Sequence, residues 1–253
     1  MVQRLIAEED MIFRIRRKTQ SWYGETIGIL ILDAAYPCIP GNVGNASTFP
    51  FSVRYQEVEG ASIDRLLNKR DPSLAVPFVE AAKRLRDQGV HAVTGACGFM
   101  ALFQQQVAQA LDIPVFLSSL LQIPFIFQIT GKPIGIITAN ASCLTPQHFQ
   151  GCNIPPDIPL VIAGMEQQSE FREAILKEKG TLDSFKIETE VVQVATKLVS
   201  QTPDIGAILL ECSDLPPYAH AVQAATGLPV FDFITMIEYV HRSLVRTPYV
   251  GYM

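Results

Sequence analysis

The chain has 253 residues, of which 48% are hydrophobic and 18% charged, and a formal net charge of −5. That length suits one large domain or two modest ones, with ample apolar material for a buried core. Basic residues cluster only at Arg14, Arg16, Arg17 and Lys18, which argues against a nucleic-acid partner, and charges scattered through residues 4–18 leave no apolar stretch for a secretory signal.

In chain order, Thr26–Leu32 reads as a buried strand and Phe51–Glu57 as a second. Leu74–Asp87 follows with helical spacing of Val76, Phe78, Val79, Ala82 and Leu85. His91–Gly95 reads as a strand, Phe99–Leu111 as a helix and Ile113–Leu117 as a strand. The apolar run from Ile113 to Thr130 is broken by Pro114, Ser118, Ser119, Gln122, Pro124 and Gln128, so it reads as strand plus helix and not as a membrane span. The pattern then restarts, with strands at Ile134–Thr138, Leu160–Ala163, Ile205–Leu210 and Pro229–Phe231 and helices about Ser169–Lys179 and Leu182–Ser200. Strands alternating with helices predict an α/β fold with mainly parallel sheet.

The restart carries internal matches. A shift of 115 positions lays Ala92 on Ala207, Cys97 on Cys212, Val107 on Val222, Ala110 on Ala225 and Pro114-Val115-Phe116 on Pro229-Val230-Phe231; a shift of 107 lays Gly28-Ile29 on Gly135-Ile136. Two similar α/β halves facing each other are expected, with a net insertion in the second.

Five cysteines without an export signal read as reduced thiols, and a cytoplasmic location is expected. Free cysteines are most often buried small hydrophobes. Cys97 and Cys212 differ because each follows a predicted strand and precedes a helix, where parallel sheets bind ligands and a helix N-terminus favours thiolate. Two thiols facing one carbon from opposite lobes are what stereoinversion requires: one base removes a proton and a conjugate acid returns one to the other face. Cys38 could line the cleft, while Cys143 and Cys152 read as structural. With no CxxC and no zinc spacing among the four histidines, no metal is expected. The loop Pro40–Asn45, with Asn42, reads as a gate or clamp, or only as a loop. It is not a dinucleotide fingerprint, and no P-loop occurs, so no cofactor is expected.

Gly95-Ala96-Cys97-Gly98, Glu211-Cys212-Ser213 and the strand end Ile134–Asn140, on a duplicated layout, resemble the aspartate/glutamate racemase superfamily, which includes hydantoin racemases, maleate isomerase and arylmalonate decarboxylase. The resemblance spans about Thr26 to the C-terminus. It implies two flavodoxin-like, Rossmann-like halves with the active site between them: a tail at 1–25, a first lobe of 26–118 plus a returning 233–253, and a second lobe of 119–232. It further implies a cofactor-independent racemase or epimerase of an amino acid or hydantoin, with catalytic Cys97 and Cys212, and a dimer. Two retained cysteines fit an isomerase better than the decarboxylase branch.

The supporting residues are expected as follows. Backbone N–H groups of Gly98, Phe99, Ser213 and Asp214, with the Ser213 hydroxyl, would hold a substrate carboxylate or imide. Thr138 and Asn140 resemble the family's carboxylate-binding loop, against a plain turn role. Asp33 and Asp214 would assist the two thiols, or serve as turn and cap residues. Gly98-Phe99 and Ser213 replace the usual Asn-Thr and Thr, and Phe99 beside the cleft hints at a less polar substrate. The alternatives are a maleate-type cis-trans isomerase with a covalent cysteine, and a two-lobed ligand-binding protein without catalysis.

Overall fold

Runs of Ile, Val and Leu without polar alternation form strands covered on both faces, and such strands belong to parallel sheets layered by helices. The computed structural model describes residues 20–253. The basic cluster at 14–18 and most of the expected tail 1–25 lie outside the described residues. The first half consists of β1 (Ile27–Ile31), β2 (Val53–Glu57), α1 (Ala75–Asp87), β3 (Ala92–Gly95), α2 (Gln104–Ala110) and β4 (Val115–Phe116). The second consists of α3 (Ile123–Thr130), β5 (Ile134–Thr138), α4 (Pro146–Gly151), β6 (Leu160–Gly164), α5 (Ser169–Phe171), α6 (Ser184–Gln201), β7 (Ala207–Leu210), α7 (Ala219–Thr226) and β8 (Val230–Phe231), after which α8 (Phe233–Leu244) follows.

The strands make two four-stranded, all-parallel sheets in the orders β2-β1-β3-β4 and β6-β5-β7-β8. The internal repeat is exact at the level of register. Ile27 pairs with Val53 and Ala92, and 107 positions on Ile134 pairs with Leu160 and Ala207. The pair Val93–Val115 recurs as Ile208–Val230. The inserted residues lie between β6 and β7, where the 18-residue α6 stands in place of the 13-residue α1. The expected α/β architecture of two pseudo-symmetric halves is therefore the observed one.

The two longest helices between strands each turn one apolar face to a sheet. In α1 that face is Phe78, Ala81, Ala82 and Leu85; in α6 it is Ile187, Val191, Val194, Ala195 and Leu198. The predicted helix at Phe99–Leu111 is divided. Gly98, Phe99, Met100, Ala101 and Phe103 are all buried, so this stretch has no solvent face and winds as a tight 3₁₀ segment over Gly98–Phe103 before α2 begins. The helix predicted at Ser169–Lys179 shortens similarly, α5 passing into a wider π turn at Arg172–Leu176.

Helix α8 follows the second half in sequence but packs on the first. Its buried Phe233, Met236 and Ile237 join Ile27 and Ile29 of β1, Ala92 of β3 and Phe116 of β4 in one core cluster. Asp232 caps it: its side chain accepts from the Thr235 N–H while the Thr235 hydroxyl accepts from the Asp232 N–H. No helix among the described residues is long and apolar enough to cross a membrane.

Candidate functional site

Each cysteine of interest sits two residues beyond the end of the corresponding strand: β3 ends at Gly95 and is followed by Ala96-Cys97, and β7 ends at Leu210 and is followed by Glu211-Cys212. The chain turns sharply at both places because a 3₁₀ turn follows, at Gly98–Phe103 in one half and Pro216–Tyr218 in the other. The two turns are stitched together. The Ser213 hydroxyl donates to the Ala96 carbonyl at 2.7 Å, and the Ser119 hydroxyl, after β4, braces the Cys212 turn by donating to the Glu211 carbonyl at 3.1 Å. The sulfurs are near enough that a charge on Cys97 raises the pKa of Cys212. Cys97 is half-buried and Cys212 buried.

The expectation of pre-formed thiolates is not met. Desolvation pushes both thiols well above the usual thiol range. Nearby carboxylates add to the shift: Glu211 and then Asp214 at Cys97, and Asp214 and then Glu211 at Cys212. Backbone N–H groups of Phe99 and Met100 aimed at Cys97, and of Asp214 at Cys212, oppose the shift without reversing it. Two short 3₁₀ turns are a poor dipole source beside desolvation and two acids.

Around Cys212 the structure builds a hydrogen-bonded chain. The Cys212 sulfur donates to Asp214 Oδ2 at 3.3 Å, and Asn42 Nδ2 donates to Asp214 Oδ1 at 2.6 Å. Asp214 is buried, and desolvation raises its pKa against those bonds and a further one from the Tyr36 hydroxyl. Asn42 reaches across because its loop is fastened over the second half. The Val43 N–H donates to the Ser213 carbonyl at 3.4 Å, and Gly41, at φ +97°, lies where any Cβ would come 2.8 Å from Pro217 Cα. The loop at Pro40–Asn45 is therefore no free gate. Thr48 Oγ1 accepts from the Gly41 N–H and donates to the Asn42 carbonyl, and Asn45 Nδ2 donates to the Cys38 carbonyl.

Several expected residues take other places. Asp33 is exposed and contributes to neither thiol's shift; the carboxylates that act on Cys97 are Glu211 and Asp214. The Phe99 ring is 1% exposed and packs edge-on against His148 at 5.0 Å between ring centres, so it faces the core and not a substrate. Thr138 is buried, with its hydroxyl given to Glu211 Oε2 at 2.8 Å. Asn140 Oδ1 accepts from both the N–H and the hydroxyl of Ser142, which is turn chemistry. Gly98 matters for its missing side chain: a Cβ there would stand 1.9 Å from Glu211 Oε1.

Three residues were not foreseen as site members. Glu211 is fully buried beside both cysteine turns, and its placement as the first charge after four apolar strand residues was the available signal. Tyr36 lies within electrostatic reach of Asp214, Cys212, Cys38 and Cys97. Tyr55 donates its hydroxyl to the Val43 carbonyl at 2.8 Å, bracing the loop. Cys38 lies within electrostatic reach of Asp214, and burial together with that carboxylate pushes its thiol up to about 11. Among the described residues no cluster of three His, Cys, Asp or Glu side chains is arranged to hold a metal ion.

The chain is 33% identical over 233 residues to a dimethylsulfoniopropionate lyase from Durusdinium sp. clade D, covering 89% of this chain and 77% of that protein. It belongs to the dimethylsulfoniopropionate lyase family. Dimethylsulfoniopropionate lyase 3 of Emiliania huxleyi (strain CCMP1516) is likewise 33% identical over 237 residues, covering 89% of this chain but 61% of the longer relative. No protein-family model matches the chain. Among solved structures, allantoin racemase from Pseudomonas fluorescens aligns with a TM-score of 0.61 at 14% identity, covering 90% of this chain and 99% of the other. Unliganded arylmalonate decarboxylase aligns at 0.57 and 17% identity, covering 90% and 96%. The lyase-family chain thus has the two-lobed fold of the aspartate/glutamate/hydantoin racemase superfamily, as its residues suggested. Its sequence relatives are named as lyases, and these structural neighbours as a racemase and a decarboxylase.

Proposed function

We propose that this chain is a lyase that eliminates dimethyl sulfide from dimethylsulfoniopropionate. The observation that carries the reading is the 33% identity over 233 residues, 89% of this chain, to a protein of that name. The chemistry begins as racemisation does, with removal of a proton α to a carboxylate. In the elimination the Cα–H bond breaks, its electron pair forms the Cα–Cβ double bond, and the Cβ–S bond breaks. Dimethyl sulfide leaves with that bond's electron pair and acrylate remains.

Cys212 is the base in this reading. Its thiol proton passes to Asp214, 3.3 Å away, and the thiolate takes the substrate proton. Asn42 holds Asp214 in line for the transfer. The substrate supplies what the apolar, acidic surroundings of Cys212 withhold. A sulfonium about 5 Å from the sulfur favours the thiolate by about 3 kcal/mol at an effective dielectric of ~20, worth about two pKa units. Binding a cation thus switches on a base that desolvation otherwise keeps neutral. Dimethyl sulfide needs no proton to leave, so one base suffices, and Cys97 is left to face the substrate from the other lobe.

Headspace measurement of dimethyl sulfide from the purified full chain tests this. Release by the wild type, falling at least a hundredfold in Cys212→Ala and in Asp214→Asn, is expected. No release at millimolar substrate sinks it. The second reading is racemisation or epimerisation of an amino acid or hydantoin, favoured by the matched thiols. It predicts wash-in of deuterium at the α-carbon of a chiral substrate in D₂O, and loss of that exchange with either cysteine replaced.

A further inference from the structure

We propose that the Glu211 carboxyl, wedged between the turn carrying Cys212 and the turn carrying Cys97, is a positioning residue whose protonation state governs how readily the Cys97 thiol ionises. The proposal rests on Cys97 belonging to the reactive site.

The geometry comes first. Glu211 is fully buried; Oε2 accepts the Thr138 hydroxyl at 2.8 Å, while Oε1 is buried without a hydrogen-bond partner. That free oxygen is pressed on the backbone directly after Cys97. A Cβ on Gly98 would fall 1.9 Å from Oε1 and 2.2 Å from Cδ, so glycine there is the space the carboxyl occupies. A charged oxygen without a donor in a dry interior is costly, and taking up a proton is the usual way out.

The titratable groups facing this carboxyl are Cys97 on the turn after β3, Cys152 after α4, and Cys212 on its own turn. The Thr138 hydroxyl at the end of β5 is its hydrogen-bond donor. All three thiols are made harder to ionise by a negative Glu211, and at Cys97 it is the leading charge acting. Burial lifts Glu211 to about 7, so its charge changes in the neutral range. With the carboxyl neutral, Cys97 loses a proton more easily; with it ionised, the two negative charges compete. The elimination mechanism assigns Glu211 no task, yet it contacts both cysteine turns.

Alkylation of Cys97 by iodoacetamide reads this without turnover, so its result stands apart from whether dimethyl sulfide is released. The full chain is labelled from pH 5.5 to 9.5 and the Cys97 peptide quantified by mass spectrometry. An isolated thiol far below its pKa reacts about tenfold faster per pH unit. In the wild type that rise is expected to flatten across pH 6.5–8 as Glu211 gains charge. In Glu211→Gln the rise is expected to be continuous, with a rate at pH 8 at least fivefold above wild type and little difference at pH 5.5. Equal profiles, or a change of the same size at every pH, as altered packing alone would give, overturn the proposal. Should Glu211→Gln not fold, the wild-type profile decides: an unbroken tenfold rise per unit through pH 7 overturns it.

Discussion

Asp214 answers to three partners at once: it accepts from the thiol it serves, from the amide that holds it and from the Tyr36 hydroxyl. Replacing Asn42 by Ala leaves a buried carboxylate oxygen without its donor, a loss of about 1–3 kcal/mol. The Asn42→Ala protein is expected to keep its circular dichroism spectrum and lose at least tenfold in kcat for dimethyl sulfide release. The same carboxylate sets an acid limit. Burial raises its pKa, so as pH falls it takes up a proton at a higher pH than an ordinary aspartate and can no longer accept one from Cys212. The acid limb of kcat is expected above the usual carboxylate range, and a limb at or below pH 4 in the wild type counts against Asp214 as acceptor. Gly98→Ala meets Glu211 Oε1 at 1.9 Å and the Glu211 carbonyl oxygen at 2.6 Å. A rotamer change relieves the first contact but not the second, so a lower Tm is expected even when combined with Glu211→Ala.

At the scale of elements, α8 tests how far the first lobe depends on residues distant in sequence. Phe233 is fully buried against β1, β3 and β4. Phe233→Ala is expected to cost about 3–5 kcal/mol, read as a shift in denaturant midpoint. Asp232→Ala removes the cap and costs about 1 kcal/mol, and a cost as large as that of Phe233→Ala contradicts the view that packing, more than capping, seats this helix. The central strands were legible because apolar runs buried on both faces, such as Ile134–Thr138, leave few other options. The winding of Gly98–Phe103 and Arg172–Leu176 was not, since it depends on what surrounds each segment. The cysteine turns were legible from the repeat of Cys97 at Cys212. The partners of Asp214 were not, because Asn42 lies 172 positions away and its approach depends on the Gly41–Pro217 contact. Phe99 was misread for the converse reason: adjacency to a reactive cysteine says nothing about which way a ring points.

Across the whole molecule, two buried groups give stability opposite pH dependences. Burial lowers His148 to about 4, so between about pH 4 and 6.5 the unfolded chain binds more protons and stability falls as pH falls. Burial raises Glu211 to about 7, so between about pH 4.5 and 7 the folded chain binds more protons and stability falls as pH rises. The windows overlap, so these two contributions oppose one another between pH 5 and 6.5. Glu211→Gln removes the Glu211 contribution, and its unfolding free energy is expected to rise relative to wild type between pH 5 and 8, by up to about 3 kcal/mol. A constant difference between the two proteins at both pH values would show that Glu211 stays charged in the fold. The return of α8 to the first lobe bears on synthesis as well. A ribosome delivers β1–β4 long before Phe233, Met236 and Ile237, so the sheet face at Ile27, Ile29, Ala92 and Phe116 waits bare while the second lobe is translated. During that interval the nascent first lobe carries an open apolar surface, and a chaperone that holds emerging chains has its natural purchase there.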